Sequence, residues 1–166
     1  MMRKYYLCQY RLEKEVACFV WFGNEKDGVL LSADGRVACF KSLAMLRLFL
    51  RGQDITLEDD DPAFYDFDVL EEWLRKEPTS SFDHDASLNI WNLFTDVAAS
   101  VNGQFESNDE ATRRVYDKVF WGDYPAPFHA IGYEYDPEWY TDDLALLHKT
   151  LKAGLMLFKS SINLSA

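Results

Sequence analysis

The stretch LEDDDPAFYDFDVLEEWL, residues 57–74, is where this 166-residue chain concentrates groups able to do chemistry. Glu58, Asp59, Asp60 and Asp61 run together, and Asp66, Asp68, Glu71 and Glu72 follow among Phe64, Tyr65, Phe67 and Trp73. Carboxylates at this density can coordinate a hard cation or present a negative face to a basic partner. The cation reading demands spacing. An EF-hand loop opening at Asp59 needs glycine at its sixth position, which is Phe64, and no glycine lies in the stretch. A bespoke Mg²⁺ or Ca²⁺ site from Asp59–Asp61 is the weaker alternative, and we assign no metal.

Other candidate chemistries meet plainer readings. Asp83-His84-Asp85 resembles the acid–histidine pairs of metal phosphohydrolases, but such sites need further histidines, and only His129 and His148 remain, in unrelated contexts. Carboxylates at a helix start explain the triplet, because they interact favourably with exposed N–H groups there. Cys8, Cys18 and Cys39 form no CxxC pair and lie in apolar runs, so we expect buried free thiols in a reducing compartment. A nucleophilic cysteine would need a histidine partner and an electropositive setting. The chain has no G-x-S-x-G, P-loop or G-x-G-x-x-G motif. We therefore expect no catalytic residues, no cofactor and no enzyme activity.

The charge is unevenly spread. Residues 1–53 carry nine Lys/Arg against five Asp/Glu, whereas residues 54–85 carry twelve acids against two bases. Those 32 residues hold nearly all of the net charge of −11. Phosphates need Lys and Arg, so this face is unsuited to nucleic acid or an anionic membrane and suited to a basic protein. Stacking proteins also pair their rings with a basic groove, so Trp21, Trp91 and Trp121 are read as core. No apolar run approaches the length of a membrane span, and the start MMRKYYLCQYRLEKE has no apolar signal-peptide core. We expect a cytoplasmic protein.

The elements that must position the acidic stretch are legible in outline. Hydrophobic content of 48% and aromatic content of 16% point to a globular chain with a real core. KYYLCQYRL and VACFVWFG read as strands, and VLLSADGRVACF as a hairpin turning at Asp34-Gly35. Ser42 caps a short helix that Gly52 ends. A second helix opens near DFDVLEEWLRKE and stops before Pro78. DHDASLNIWNLFTDVAASVNG is amphipathic, with Leu88, Trp91, Phe94, Ala98 and Val101 on one stripe, Asp83 or Asp85 at its start and Asn102-Gly103 at its end. Ser107 and Glu110 suggest a capping box for a fourth helix. Residues 122–140, with three prolines and many rings, read as an ordered loop. A last helix covers about 142–160. The fold class is α+β: one domain over 1–166, strand-rich in 1–41 and helix-rich in 42–166. An antiparallel meander of three to four strands precedes about five helices packed on it.

Helix formation accounts for part of the acidity. Asp66, Asp68 and Glu71 near a helix start are each worth about 0.3–1 kcal/mol. Asp68 and Glu72 are like charges at i,i+4, which costs about 0.2–0.5 kcal/mol. The run Glu58–Asp61 gains nothing from a helix end. Two readings of it stay open: a solvated loop, or a face for a basic protein with Phe64, Tyr65 and Trp73 as aromatic anchors.

YDFDVLEEWL, LNIWNLFTDVAASV, YDKVFWGD and YDPEWYTDDLALL together resemble the immunity proteins of bacterial contact-dependent growth inhibition systems, in the group that neutralises EndoU-type RNase toxins. The resemblance spans most of the chain. It implies a cytosolic protein that binds one cognate nuclease toxin domain, and it carries over no catalytic residue. Joined to the charge distribution, it suggests that Glu58, Asp59, Asp60, Asp61, Phe64, Tyr65, Asp66, Asp68, Glu71, Glu72 and Trp73 bind the toxin's basic site. The alternatives are an acidic adaptor for another basic protein and a metal-dependent hydrolase.

Overall fold

The structure, a computed structural model, describes residues 2–123 and 138–165. The expected α+β class is what it shows: a six-stranded sheet and five helices among the described residues. β1 (Lys4–Leu12) and β2 (Glu15–Gly23) form an antiparallel hairpin, and β3 (Gly28–Val29) and β4 (Val37–Phe40) both pair antiparallel with β2. The turn at Asp34-Gly35 forms as read, with Gly35 at φ 81° and Ser32 N–H bonded to Arg36 O at 2.7 Å. The β1–β2 turn had no such signal. Glu13 and Lys14 take φ of 53° and 66°, the pattern of a type I′ turn, which normally uses Asn-Gly or Asp-Gly.

Two strands lie outside the meander. β5 (Ala63–Asp66) joins β1 in parallel inside the acidic segment, and β6 (Ile162–Ser165) joins β4 in parallel at the far edge. The sheet order is β5-β1-β2-β4-β6. Each late strand has four residues, too short to display a period of two, and each abuts a helix without a Gly or Pro break.

The helices are α1 (Leu43–Gly52), α2 (Phe67–Leu74), α3 (His84–Val101), α4 (Glu110–Asp123) and α5 (Thr141–Ser161). Their starts are chemically explicit. Ser42 accepts from Met45 N–H, Asp66 from Val69 N–H, and Asp83 from Ala86 N–H. α4 departs from expectation: Asp109, not Ser107, caps it, accepting Thr112 N–H at 2.8 Å. α3 ends on Asn102 in the left-handed conformation. Of the proline-rich loop read over 122–140, residues 124–137 lie outside the described residues.

Alternation along the strands divides the sheet into two faces. Cys8, Tyr10, Ala17, Phe19, Val37 and Cys39 share one core with α2, α3, α4 and α5. Cys18, Val20, Ala38 and Phe40 face the other way, onto Leu46 and Leu50 of α1. The main core centres on stacked and tilted rings. Phe67 lies 4.8 Å from Phe158 and 5.8 Å from Phe94, and Tyr10 lies 5.2 Å from Phe158. Each such buried side chain contributes about 1.5–3 kcal/mol. All three cysteines are buried free thiols. Burial pushes Cys8 and Cys39 up to about 12, so both stay protonated at neutral pH.

Candidate protein-binding face

The acidic run is held at both ends. Ile55 and Leu57 tuck into the core under α1, and Glu58 N–H donates to Tyr5 O at 2.8 Å. Five residues later Ala63 pairs with Cys8 as β5 begins. Between these anchors Glu58, Asp59, Asp60 and Asp61 are exposed, and none forms a side-chain hydrogen bond or ion pair with another described residue. Four adjacent carboxylates are thus fixed on the surface by backbone and apolar contacts alone.

The other candidate residues divide by use. Asp66 caps α2 and accepts from the Arg11 guanidinium at 2.9 Å. Asp68 receives the backbone N–H groups of Glu13 at 2.7 Å and Lys14 at 2.9 Å. This bridge satisfies the strained β1–β2 turn and explains a carboxylate that is unfavourable beside Glu72 on helix grounds alone. Glu71 bonds Lys159 of α5. These three acids serve the fold. Trp73 is half-buried against Phe82 and His148, with its indole N–H on Ser80 O. Tyr65 points inward toward Phe19 and Phe67. Phe64 is 46% exposed with Arg11 5.4 Å above its ring, and Glu72 is exposed. The free part of the candidate face is therefore Glu58–Asp61, Phe64 and Glu72.

Beside the run opens a cleft of about 290 Å³ between the sheet and α3. Its floor is Tyr6, Cys8, Trp21, Ala63 and Tyr65, and Asp60 and Asp61 stand at its mouth. The register explains the floor: Tyr6 lies opposite Trp21 and Cys8 opposite Ala63, on one face of the sheet. The wall is Asn89, Asn92, Leu93 and Asp96, spaced to share one side of α3. A helix sealing an aromatic sheet face would carry apolar residues there, and α3 carries two amides and an acid. Asp96 accepts the Trp21 indole N–H at 2.8 Å. Desolvation pushes the Asp96 carboxyl above its ordinary range, the Trp21 bond opposes this, and Asp27 adds to it. Among the described residues, no Lys or Arg lines the cleft.

Sequence reasoning did not find Tyr6, Trp21, Asn89, Asn92 or Asp96. The signal was present for the last three, a polar stripe at helical spacing beside the apolar one. The floor residues had none, because inward-facing rings on a strand look the same whether covered or open. Trp121, read as core, is 44% exposed on α4, with its ring edge-on to Phe120. Asp83-His84-Asp85 resolves into a helix start: Asp83 caps α3, Asp85 accepts from Asn89, and His84 Nε2 accepts the Trp139 indole N–H at 3.1 Å. Among the described residues, no three His, Cys, Asp or Glu side chains gather as a metal site, and no helix is long and apolar enough to cross a membrane.

No family profile matches the chain, and no curated protein does. A solved structure does. The crystal structure of the SatS C-terminal domain, in complex with bromine, superposes with a TM-score of 0.60 at 10% identity, covering 97% of this chain and 94% of that one. At this identity the likeness is one of fold.

Proposed function

We propose that this protein binds and neutralises a toxic nuclease domain in the cytosol, as an immunity protein of a contact-dependent growth inhibition system directed at an EndoU-type RNase, without catalysis of its own. One observation carries the reading. Glu58–Asp61 are anchored at both ends yet have no side-chain partner among the described residues, and Phe64 stands exposed beside them. Like charges crowded together repel, so the fold gains nothing from them. A basic nuclease cleft offers them complementary charge, with Phe64 as an apolar anchor.

Calorimetric titration of the protein against a purified EndoU-type toxin domain, at low and high salt, tests this. One-to-one binding that weakens with salt is expected. The variant Glu58→Gln/Asp59→Asn/Asp60→Asn/Asp61→Asn should weaken it by roughly tenfold or more. Unchanged affinity in that variant would discard the acidic face while leaving the inhibitor reading. Absence of binding at both salts to the EndoU-type domain encoded beside this protein's gene would discard the EndoU assignment.

A further inference from the structure

The cleft beside the acidic run has features that inhibition by a flat charged face does not require. It is an open cleft, its floor is aromatic, and its carboxylates differ in burial, Asp96 half-buried and Asp60 and Asp61 exposed. Tyr6 and Trp21 sit with ring centroids 5.5 Å apart, and Tyr65 lies further along the same floor. Asp96 stands on the wall, half-buried, with one oxygen on the Trp21 indole. Asp60 and Asp61 stand at the mouth. Three carboxylates thus line a cleft floored by rings, with no Lys or Arg among its described lining residues. Rings with carboxylates around them suit a cation, and a planar one in particular: guanidinium stacks on aromatic faces and gives N–H donors to carboxylates in its own plane. Asn89 lines the same wall and adds an amide oxygen, whereas that of Asn92 accepts from the Tyr116 hydroxyl at 2.8 Å.

We propose that the cleft between β1–β5 and α3 receives one arginine side chain of a protein partner, stacked on the Tyr6–Trp21 floor and paired with Asp96, with Asp60 and Asp61 drawing it in. This deepens the reading above and rests on it for the partner: the exposed run attracts a basic protein, and the cleft seats one of its side chains. The buried end accounts for Asp96. A carboxylate held half out of water without a cation is costly, and an incoming guanidinium relieves that cost.

The test needs no toxin. N-acetyl-arginine amide is titrated into the isotope-labelled protein while the Trp21 indole N–H resonance is followed, assigned through Trp21→Phe. N-acetyl-citrulline amide, neutral and nearly the same shape, is the control. A saturable shift at Trp21 with the arginine compound alone is expected. Asp96→Asn, which keeps an acceptor for the indole, should remove most of it. Asp60→Asn/Asp61→Asn, on the exposed run, should weaken binding by about threefold or more. Equal shifts from both compounds, no shift at Trp21, or full binding by Asp96→Asn would overturn the proposal. The two readings fail separately. Toxin binding with an unmoved Trp21 sinks the arginine seat alone, and a seated arginine without toxin binding sinks the toxin assignment alone.

Discussion

The Trp21 indole N–H donates to the Asp96 carboxylate across 2.8 Å, joining β2 to α3 beside the open cleft. It is a contact between residues 75 positions apart, and both partners line the cleft. Its acceptor is a carboxylate whose ionisation the surroundings oppose.

The pH dependence follows from that opposition. A carboxyl raised in the folded state stabilises the fold while protonated, and this contribution is lost as pH rises through its folded value. Trp21 and Asp27 are the groups acting on Asp96, the first lowering and the second raising. Asp96→Asn removes the charge and keeps an acceptor. It should match or exceed the parent in Tm at pH 7, and the gap should close as pH falls through the carboxylate range. Thermal melts of both proteins from pH 7 to pH 3 check this. A gap that widens on acidification would reverse the sign.

The β1–β2 turn makes a second prediction. Glu13 and Lys14 both sit at positive φ, where a Cβ is strained, and Asp68 of α2 holds both N–H groups. Asp68→Ala should cost about 1–2 kcal/mol, because two backbone donors lose a charged acceptor. Lys14→Gly should gain roughly 0.5–1 kcal/mol by relieving the conformation. Urea unfolding of each variant measures both, and Asp68→Asn should fall between Asp68→Ala and the parent.

Gly154 lies where α5 crosses α3. A Cβ there would sit 2.1 Å from Cδ2 of the fully buried Phe94. Helix propensity alone favours alanine by about 1 kcal/mol, yet the crossing excludes it. Gly154→Ala should lose about 2 kcal/mol net by overpacking, a Tm drop of roughly 4–8 °C for a chain of this size. A Tm equal to or above the parent's would show that α5 can back away from Phe94.

Lys118 of α4 and Asp143 of α5 form an ion pair at 2.5 Å, with side chains only 14% and 6% exposed. Lys118 also donates to Glu138 O and lies 4.7 Å from the Tyr140 ring centroid. Removing one partner strands a buried charge, so Lys118→Met should cost about 3 kcal/mol. Adding Asp143→Asn removes that charge and keeps an acceptor for Tyr140 N–H. The double variant should recover most of the loss, and a double variant no better than the single would mean that the charge is not what matters.

The sequence by itself determined the antiparallel strands within residues 4–40 and the five helices after them. Period-two strands open the chain, 3.6-period helices follow, Ser42 and Asp83 cap helices, Gly35 turns a hairpin, and three thiols lie in apolar runs. These features rest on hydrogen bonds and side-chain spacing within a few residues, so they show in a short window. Only the tertiary structure decided which acids are free. Asp66, Asp68 and Glu71 read like the rest of the acidic stretch, but Arg11, the N–H groups of residues 13 and 14, and Lys159 claim them across 55, 55, 54 and 88 positions. It also decided the two parallel edge strands and the cleft. A four-residue strand exists because β1 or β4 offers an unpaired edge, and a cavity exists because a polar stripe of α3 meets rings from β1, β2 and β5. Pairing and burial of this kind depend on which surfaces meet, and that is set by packing over the whole chain rather than by any local run of residues.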